Sequence, residues 1–121
     1  MPRRDIDERT FRFALETMRI CDLLMARGPI VRRAAYQLLD AGMSVGSNTE
    51  EAEGAQSHAD FAAKCAVVRK EARESRFWLR LIAAYDATLA SRLGPHATEA
   101  GELVAIFNAM AKTARSKARK R

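Results

Sequence analysis

The sequence has few of the residues that interrupt a helix or cross-link a chain. Its 121 residues include three prolines, six glycines and two cysteines. Cys21 and Cys65 each lie within an apolar pattern typical of a helix and outside any Cys-x-x-Cys motif, so we expect buried free thiols rather than a disulfide or a zinc site. Period-two runs of β-branched residues are also missing, which disfavours strands. Because alanine, leucine, arginine and glutamate dominate, the composition predicts an all-α domain.

Long apolar runs are absent as well. No apolar segment approaches the roughly 18 residues that span a membrane. The basic residues Arg3 and Arg4 are not followed by the apolar segment of a secretory signal. We therefore expect a cytoplasmic protein without a membrane partner.

Histidine, a residue common in metal and acid–base sites, occurs only twice. A di-iron carboxylate bundle needs two Glu-x-x-His pairs, and neither His58 nor His96 follows a glutamate by three residues. Glu71 and Glu74 have the spacing of a carboxylate pair on one helix, but the lysines and arginines around them favour an ion-pair network over acid–base chemistry. We expect no catalytic residue, no metal site and no cofactor, and hence no enzyme.

Glycine and proline divide the chain into four predicted helices. The first covers about residues 6–27, and its apolar period runs through Phe11, Leu15, Met18, Cys21 or Asp22, and Met25. A further set widens the apolar surface and suggests burial on more than one side: Phe13, Ile20, Leu23 and Leu24. Gly28-Pro29 ends this helix and starts the second, because proline suits the first position of a helix.

The third and fourth helices are predicted by the same signals. Ser57 is a suitable N-cap, and residues 55–93 contain neither glycine nor proline. Gly94-Pro95 is expected to end this long helix, and the fourth is expected to begin near Thr98. Four helices joined by short turns predict an antiparallel up-down-up-down four-helix bundle with a long third helix.

Two glycines fall inside the second helix. Gly42 and Gly46 together cost about 2 kcal/mol of helix propensity relative to alanine, yet their spacing of four places both on one face. A continuous helix with a groove that another helix can approach closely is the favoured interpretation, and a local break remains the alternative. Since no strand precedes the glycines and no Gly-x-x-x-x-Gly-Lys motif is present, a phosphate-binding loop is disfavoured.

The third predicted helix carries two apolar stripes, which imply two packing partners. One stripe has the four-and-three spacing of a coiled coil, and the other holds Glu71, Glu74 and Trp78 among apolar residues. Buried carboxylates require a cationic partner. The candidates are Arg12, Arg33, Arg69 and Arg76, so we expect Glu74→Ala to destabilise the bundle or its oligomer.

The net charge of +6 is concentrated at the C-terminus. Residues 112–121 contain six basic side chains and no acid, whereas the rest of the chain has 15 basic and 15 acidic residues. We therefore divide the chain into a bundle, residues 1–111, and a basic tail, residues 112–121. The candidate nucleic-acid contacts are Lys112, Arg115, Lys117, Arg119, Lys120 and Arg121. A solvated appendage is the alternative.

Residues 37–82 carry a dense set of motifs: Gln37-Leu38-Leu39, Gly42-x-Ser44-Val45-Gly46-x-Asn48-x-x-Glu51-Ala52, Ala55-x-Ser57-x-x-Asp60-Phe61-x-x-Lys64 and Lys70-Glu71-Ala72-x-Glu74-x-x-Phe77-Trp78-Leu79-x-Leu81. This stretch resembles the S23-type four-helix bundle proteins encoded by 23S rRNA intervening sequences. The resemblance implies a homopentamer without known enzymatic activity. It also suggests a link to the accessory variability protein of diversity-generating retroelements, a basic pentamer that binds a reverse transcriptase and nucleic acid.

The sequence and the resemblance together lead to two functional hypotheses. The first is a non-enzymatic homopentameric scaffold whose basic surface and tail bind RNA or DNA. The second is a protein-interaction adaptor that does not bind nucleic acid. The expected structural or interface residues are Gly42, Gly46, Asn48, Glu51, Lys64, Glu71, Glu74 and Trp78.

Overall fold

The structure is a computed structural model that describes residues 3–120, and this part of the chain is helical almost throughout. Its helices are α1 (Arg3–Leu24), α2 (Pro29–Glu53), α3 (His58–Tyr85) and α4 (Ala90–Arg119), with a short 3-10 turn at Ala87–Leu89. The described residues form no strand. The all-α prediction is therefore confirmed.

The four helices form an antiparallel up-down-up-down bundle, as predicted. Each helix packs on the next in the chain, and α4 returns to α1. The direction of this last pair follows from its side-chain contacts, since Arg9 bonds Glu99 while Glu16 bonds Arg92. The third helix is long, with 28 residues, and α4 is slightly longer, with 30.

The core has two clusters that follow one another along the bundle axis. The first contains Phe13, Val68 and Phe107, and the second contains Leu38 and Leu79. Cys65 belongs to the first cluster and Cys21 to the second, and both are buried and not in a disulfide. This confirms the prediction of free thiols.

Helix α2 is continuous through its two glycines because α1 lies directly against them. A Cβ atom at Gly42 would lie 2.7 Å from the Cβ of Thr17, and one at Gly46 would lie 3.1 Å from the Cβ of Ala14. The helix axes can approach this closely only because these positions lack side chains. The favoured interpretation of a continuous helix with a small-residue groove is confirmed.

Of the two apolar surfaces predicted for the first helix, the one through Phe11 and Met18 lies on the outside, whereas the one that includes Phe13 and Ile20 is buried. Phe11 is 70% exposed and Met18 is exposed too, whereas Phe13 and the polar residues Thr10 and Thr17 are buried. Both threonines tolerate burial because their hydroxyl groups donate to backbone carbonyls one turn earlier, at 3.0 Å and 2.8 Å. Sequence periodicity counts apolar residues only, so it could not show that Thr10 and Thr17 belong to the buried face.

The predicted boundary between the third and fourth helices is wrong. Helix α3 ends at Tyr85, and Gly94-Pro95 lies inside α4. Asp86 terminates α3, because its carboxylate accepts hydrogen bonds from the backbone N–H and the hydroxyl of Thr88, at 3.1 Å and 2.6 Å. The proline is tolerated near the start of α4 because Pro95 and Ser91, whose carbonyl loses its partner, are both exposed to solvent.

Two glycine-to-alanine substitutions test the close contact between α1 and α2. Gly42→Ala should lower the free energy of unfolding by about 1–3 kcal/mol, because the new methyl group overlaps the buried Thr17. Gly94→Ala is the matched control, since a Cβ there meets no atom within 4 Å and alanine favours the helix by up to about 1 kcal/mol. Urea unfolding measures both changes. A Gly42→Ala protein as stable as the Gly94→Ala protein would contradict the contact.

Candidate nucleic-acid and subunit interfaces

A buried polar cluster joins α1 to α4 at the middle of the bundle. The ring of His96 stacks on Phe13 with centroids 4.1 Å apart, and its Nε2 lies 2.8 Å from Thr17 Oγ1. Because the only proton of the Thr17 hydroxyl is donated to the carbonyl of Phe13, Nε2 carries a proton and donates it to Thr17. Burial lowers the pKa of His96 to about 4, so the ring is neutral at pH 7.

Ion pairs flank this cluster on both sides. The Arg9 guanidinium bonds Glu99 at 2.6 Å and 2.8 Å and Glu102 at 2.6 Å, and the hydrogen bond to Glu99 raises the pKa of Arg9. Arg92 bonds Glu16 at 2.8 Å. A shallow cleft of about 430 Å³ lies beside Arg9 and His96. These hydrogen bonds and ion pairs link α1 to α4 at several levels, so the cluster fixes the register of α1 on α4.

The cluster is the main feature that the sequence did not reveal. The helix boundary predicted at Gly94-Pro95 puts His96 in a turn before the fourth helix, away from the core. A sequence signal did exist, since Arg9 and Glu99 are complementary charges on two antiparallel neighbours. This charge pair could not be identified from the sequence, because its assignment requires the start of α4 at Ala90.

The carboxylate pair of α3 has no cationic partner within the described subunit. Glu71 and Glu74 are half-buried, and burial followed by the charge of Glu74 raises the pKa of Glu71. The indole N–H of Trp78 donates to Glu74 at a long 3.5 Å. Arg69 and Arg76, two of the expected partners, face α4 instead, where they contact Asn108 and Gly101.

Most of the predicted interface residues lie along the seam between α2 and α3, and the two glycines of α2 are the exceptions. Gly42 and Gly46 lie on the α1 side of α2, and helical spacing places Asn48 and Glu51 on its other side, next to α3. The side-chain amide of Asn48 donates to the carbonyl of Ser44 at 2.9 Å. Glu51 is exposed.

On the facing helix, three more predicted residues line the same seam. Lys64, Glu71 and Trp78 are partly buried along α3. Lys64 bonds Asp60 at 2.7 Å, and this bond lowers the pKa of the Asp60 carboxyl. Whether these residues contact another subunit remains a prediction.

Two exposed apolar faces remain uncovered on the described subunit. The α1–α2 face is formed by Phe11, Leu15, Met18, Tyr36, Leu39 and Met43 and includes clefts of about 270 and 510 Å³. The α3 face is formed by Val67, Phe77, Trp78, Leu81 and Tyr85, of which Tyr85 is 65% exposed. Contiguous exposed apolar surface of this kind is typical of interaction sites.

Most of the basic C-terminal segment is helical rather than a separate coil. Helix α4 continues to Arg119, and Ala111 and Ala114 are buried against the bundle. Lys112, Arg115, Lys117 and Arg119 are exposed on these last turns, and Lys120 caps the helix. Arg121 lies outside the described residues. The helix therefore presents its cations at defined positions.

Groups that could hold a metal ion are not found among residues 3–120. In the same part of the chain, no helix combines the length and apolar content that would let it cross a membrane.

Acid unfolding tests the neutral state of His96. An exposed histidine in the unfolded chain titrates near 6.5, whereas the folded pKa is about 4, so the unfolded chain binds the extra proton between these values. The stabilising contribution is complete above pH 6.5 and is lost as the pH falls towards 4, on the order of 3 kcal/mol in total.

The measurement is the melting temperature between pH 7 and 4 for two variants. His96→Gln keeps a donor for Thr17 but cannot titrate, so its stability should fall less over this range than that of the unaltered protein. His58→Gln, which removes an exposed histidine outside the cluster, is the matched control for the loss of an imidazole. Equal pH dependence in all three proteins would show that His96 is not the titrating group.

Comparisons with known proteins bear on the fold. Neither a protein-family model nor a curated protein matches the sequence. Among solved structures, the chain is similar to a protein of unknown function from the S23 ribosomal protein family of Bacteroides thetaiotaomicron VPI-5482, whose crystal structure was determined at 1.70 Å. The two are 25% identical, the similarity covers 93% of this chain and 99% of the other, and the TM-score is 0.82. The fold is thus that of an S23-family protein, in agreement with the resemblance in the sequence.

Proposed function

We propose that the chain is a non-enzymatic homo-oligomeric scaffold, a pentamer by the resemblance, that binds RNA or another nucleic acid through its basic surface. The observation that carries the proposal is the pair of exposed apolar faces on a subunit whose excess charge is positive. A stable monomer gains nothing from these faces, because their side chains stay in water. Burial between subunits gives them a physical role.

Assembly also supplies what the α3 carboxylates lack. Glu71 and Glu74 are half-buried beside Trp78 and have no cationic partner among the described residues. Exposed arginines such as Arg19 border the α1–α2 face. A contact between the α3 face of one subunit and the α1–α2 face of the next would bring opposite charges together at the rim of an apolar interface. Such a contact joins two different surfaces and can close into a ring.

Nucleic-acid binding is supported by the placement of charge. The net charge is +6, and the excess falls on residues 112–121. Repetition of this segment around a ring sums its field and attracts polyanions. Binding through phosphates alone is expected to be largely independent of sequence and strongly dependent on salt. The S23 name of the similar structure refers to a ribosomal protein family, which agrees with an RNA partner.

A protein-interaction adaptor is the second candidate. Phe77, Leu81 and Tyr85 extend the α3 face to the end of that helix, and all three are exposed. Aromatic side chains of this kind are common anchors in protein interfaces. In this case the basic segment would contribute solubility only. The suggested link to the accessory variability protein belongs to this part of the proposal and has no separate support.

Light scattering tests assembly with two matched substitutions on α1. Met18→Asp places a charge in the α1–α2 face and should dissociate the oligomer, because a carboxylate cannot be buried there without a partner. Leu23→Asp adds the same charge outside this face. The side chains of Leu23 and Met18 are similarly exposed, at 55% and 50%, so neither substitution should unfold the monomer.

The unaltered protein should have a mass near five times the 13.5 kDa subunit and should gain mass with a structured RNA at 50 mM but not at 200 mM salt. A monomer would refute assembly. A stable oligomer that ignores RNA at both salt concentrations would favour the adaptor.

A further inference from the structure

A row of arginines follows the outer side of α3 where it meets α4. Arg69, Arg73, Arg76 and Arg80 are spaced by four, three and four residues, so they project from one side of the helix, about one per turn. The three last residues of this set are exposed, and Arg69 is half-buried. The row covers about 16 Å along the axis of α3 at 1.5 Å per residue.

These arginines have few partners within the subunit. In the described part of the chain no ion pair involves any of the four. Arg69 donates one hydrogen bond to Asn108, at 3.0 Å, and its buried Nε has no acceptor. Like charges three and four residues apart destabilise a helix, so the row does not serve folding.

The neighbouring helix leaves room beside the row. A groove of about 580 Å³ runs between Arg73, Arg76 and Arg80 and the small residues of α4. Gly101 lies under the Arg76 side chain, since a Cβ at this glycine would be 3.5 Å from the Arg76 Nε. The one acid in the groove, Glu102, is already bonded to Arg9. The guanidinium groups therefore face a groove with little competing negative charge.

The row continues onto the last turns of α4. Asn108, which accepts the hydrogen bond from Arg69, is followed on the same side of α4 by Lys112, Arg115 and Arg119, spaced by four, three and four residues. All three cations are exposed. Together with the α3 arginines they form what we term the basic stripe, which extends over about 33 Å from the level of Ala97 to Arg119 at 1.5 Å per residue.

We propose that the basic stripe binds the phosphodiester backbone of a nucleic acid along the groove between α3 and α4. The inference rests on the proposed function and gives it a site that extends beyond residues 112–121. A single phosphate can engage only one or two cations spaced a helical turn apart, whereas a polymer of phosphates engages the whole row. Arginine suits this role, because its planar guanidinium matches phosphate oxygens. Phe77, four residues after Arg73, is an exposed aromatic side chain beside the stripe. Stacking of a base on it would tolerate any sequence, so the contacts read charge rather than base identity.

Fluorescence anisotropy with a labelled 20-nucleotide single-stranded RNA and a 20-base-pair DNA duplex tests the stripe between 50 and 200 mM salt. The stripe variant is Arg73→Gln/Arg76→Gln/Arg80→Gln. The matched control, Arg12→Gln/Arg32→Gln/Arg33→Gln, removes three exposed arginines from α1 and α2 that do not line the clefts of the α1–α2 face, and it therefore gives the same net charge.

The stripe variant should bind at least tenfold more weakly. The negative slope of log K against log salt should become shallower by about 2, since each phosphate contact contributes roughly 0.7–0.9 to its magnitude. The control should stay within about threefold of the unaltered protein, because charge far from the stripe is screened. Such a pattern with either polymer supports the stripe, and the tighter polymer identifies the preferred form.

Three outcomes overturn the inference. Equal losses of affinity in the stripe variant and in the α1–α2 control would show that net charge alone matters. A loss in Lys112→Gln/Arg115→Gln/Arg119→Gln without a loss in the stripe variant would confine binding to the C-terminal segment and leave the proposed function intact. No binding by the unaltered protein would remove the proposed function as well. If thermal unfolding shows that the Arg73→Gln/Arg76→Gln/Arg80→Gln protein is not folded, the double variant Arg73→Gln/Arg80→Gln is used in its place, because it retains the Arg76 contact with Gly101.

Discussion

One threonine side chain fixes the positions of three helices. Thr17 on α1 lies against Gly42 of α2 on one side, where no side chain could fit. On the other side it accepts a hydrogen bond from the buried ring of His96 on α4. Both contacts need short distances and defined chemistry, in contrast to the tolerant apolar packing around them. The rest of the bundle is built on this register.

The same arrangement explains why the apolar residues of α1 are divided between two surfaces. Because Thr10 and Thr17 occupy the inner face beside the glycines of α2, Phe11 and Met18 are left on the outer face. The bundle closes without them. An inner face of small and polar residues thus produces an outer apolar face, and this face is available for assembly.

Much of the fold could be predicted from the composition and from residues that start or stop helices. Pro29, Ser57 and the scarcity of other breakers predicted two of the helix starts correctly, and the absence of period-two patterns excluded strands. The errors came from polar residues with tertiary partners. Asp86 ends α3 through bonds to Thr88, and the buried threonines of α1 satisfy their hydroxyls locally. The pairing expected for the α3 arginines failed for a geometric reason. Arg69 and Arg76 are each two residues from a carboxylate, Glu71 or Glu74, and side chains two apart do not share a helix face, so the arginines lie on the α4 side.

Which surface meets nucleic acid is the question on which the functional interpretation depends, and NMR of the arginine Nε–H groups answers it most directly. Titration with a short single-stranded RNA at 50 mM salt should shift the signals of Arg69, Arg73, Arg76 and Arg80, together with those of Arg115 and Arg119. The signals of Arg12, Arg19 and Arg33 should stay in place. Shifts confined to α1 and α2, or equal shifts for all exposed arginines, would contradict a site between α3 and α4.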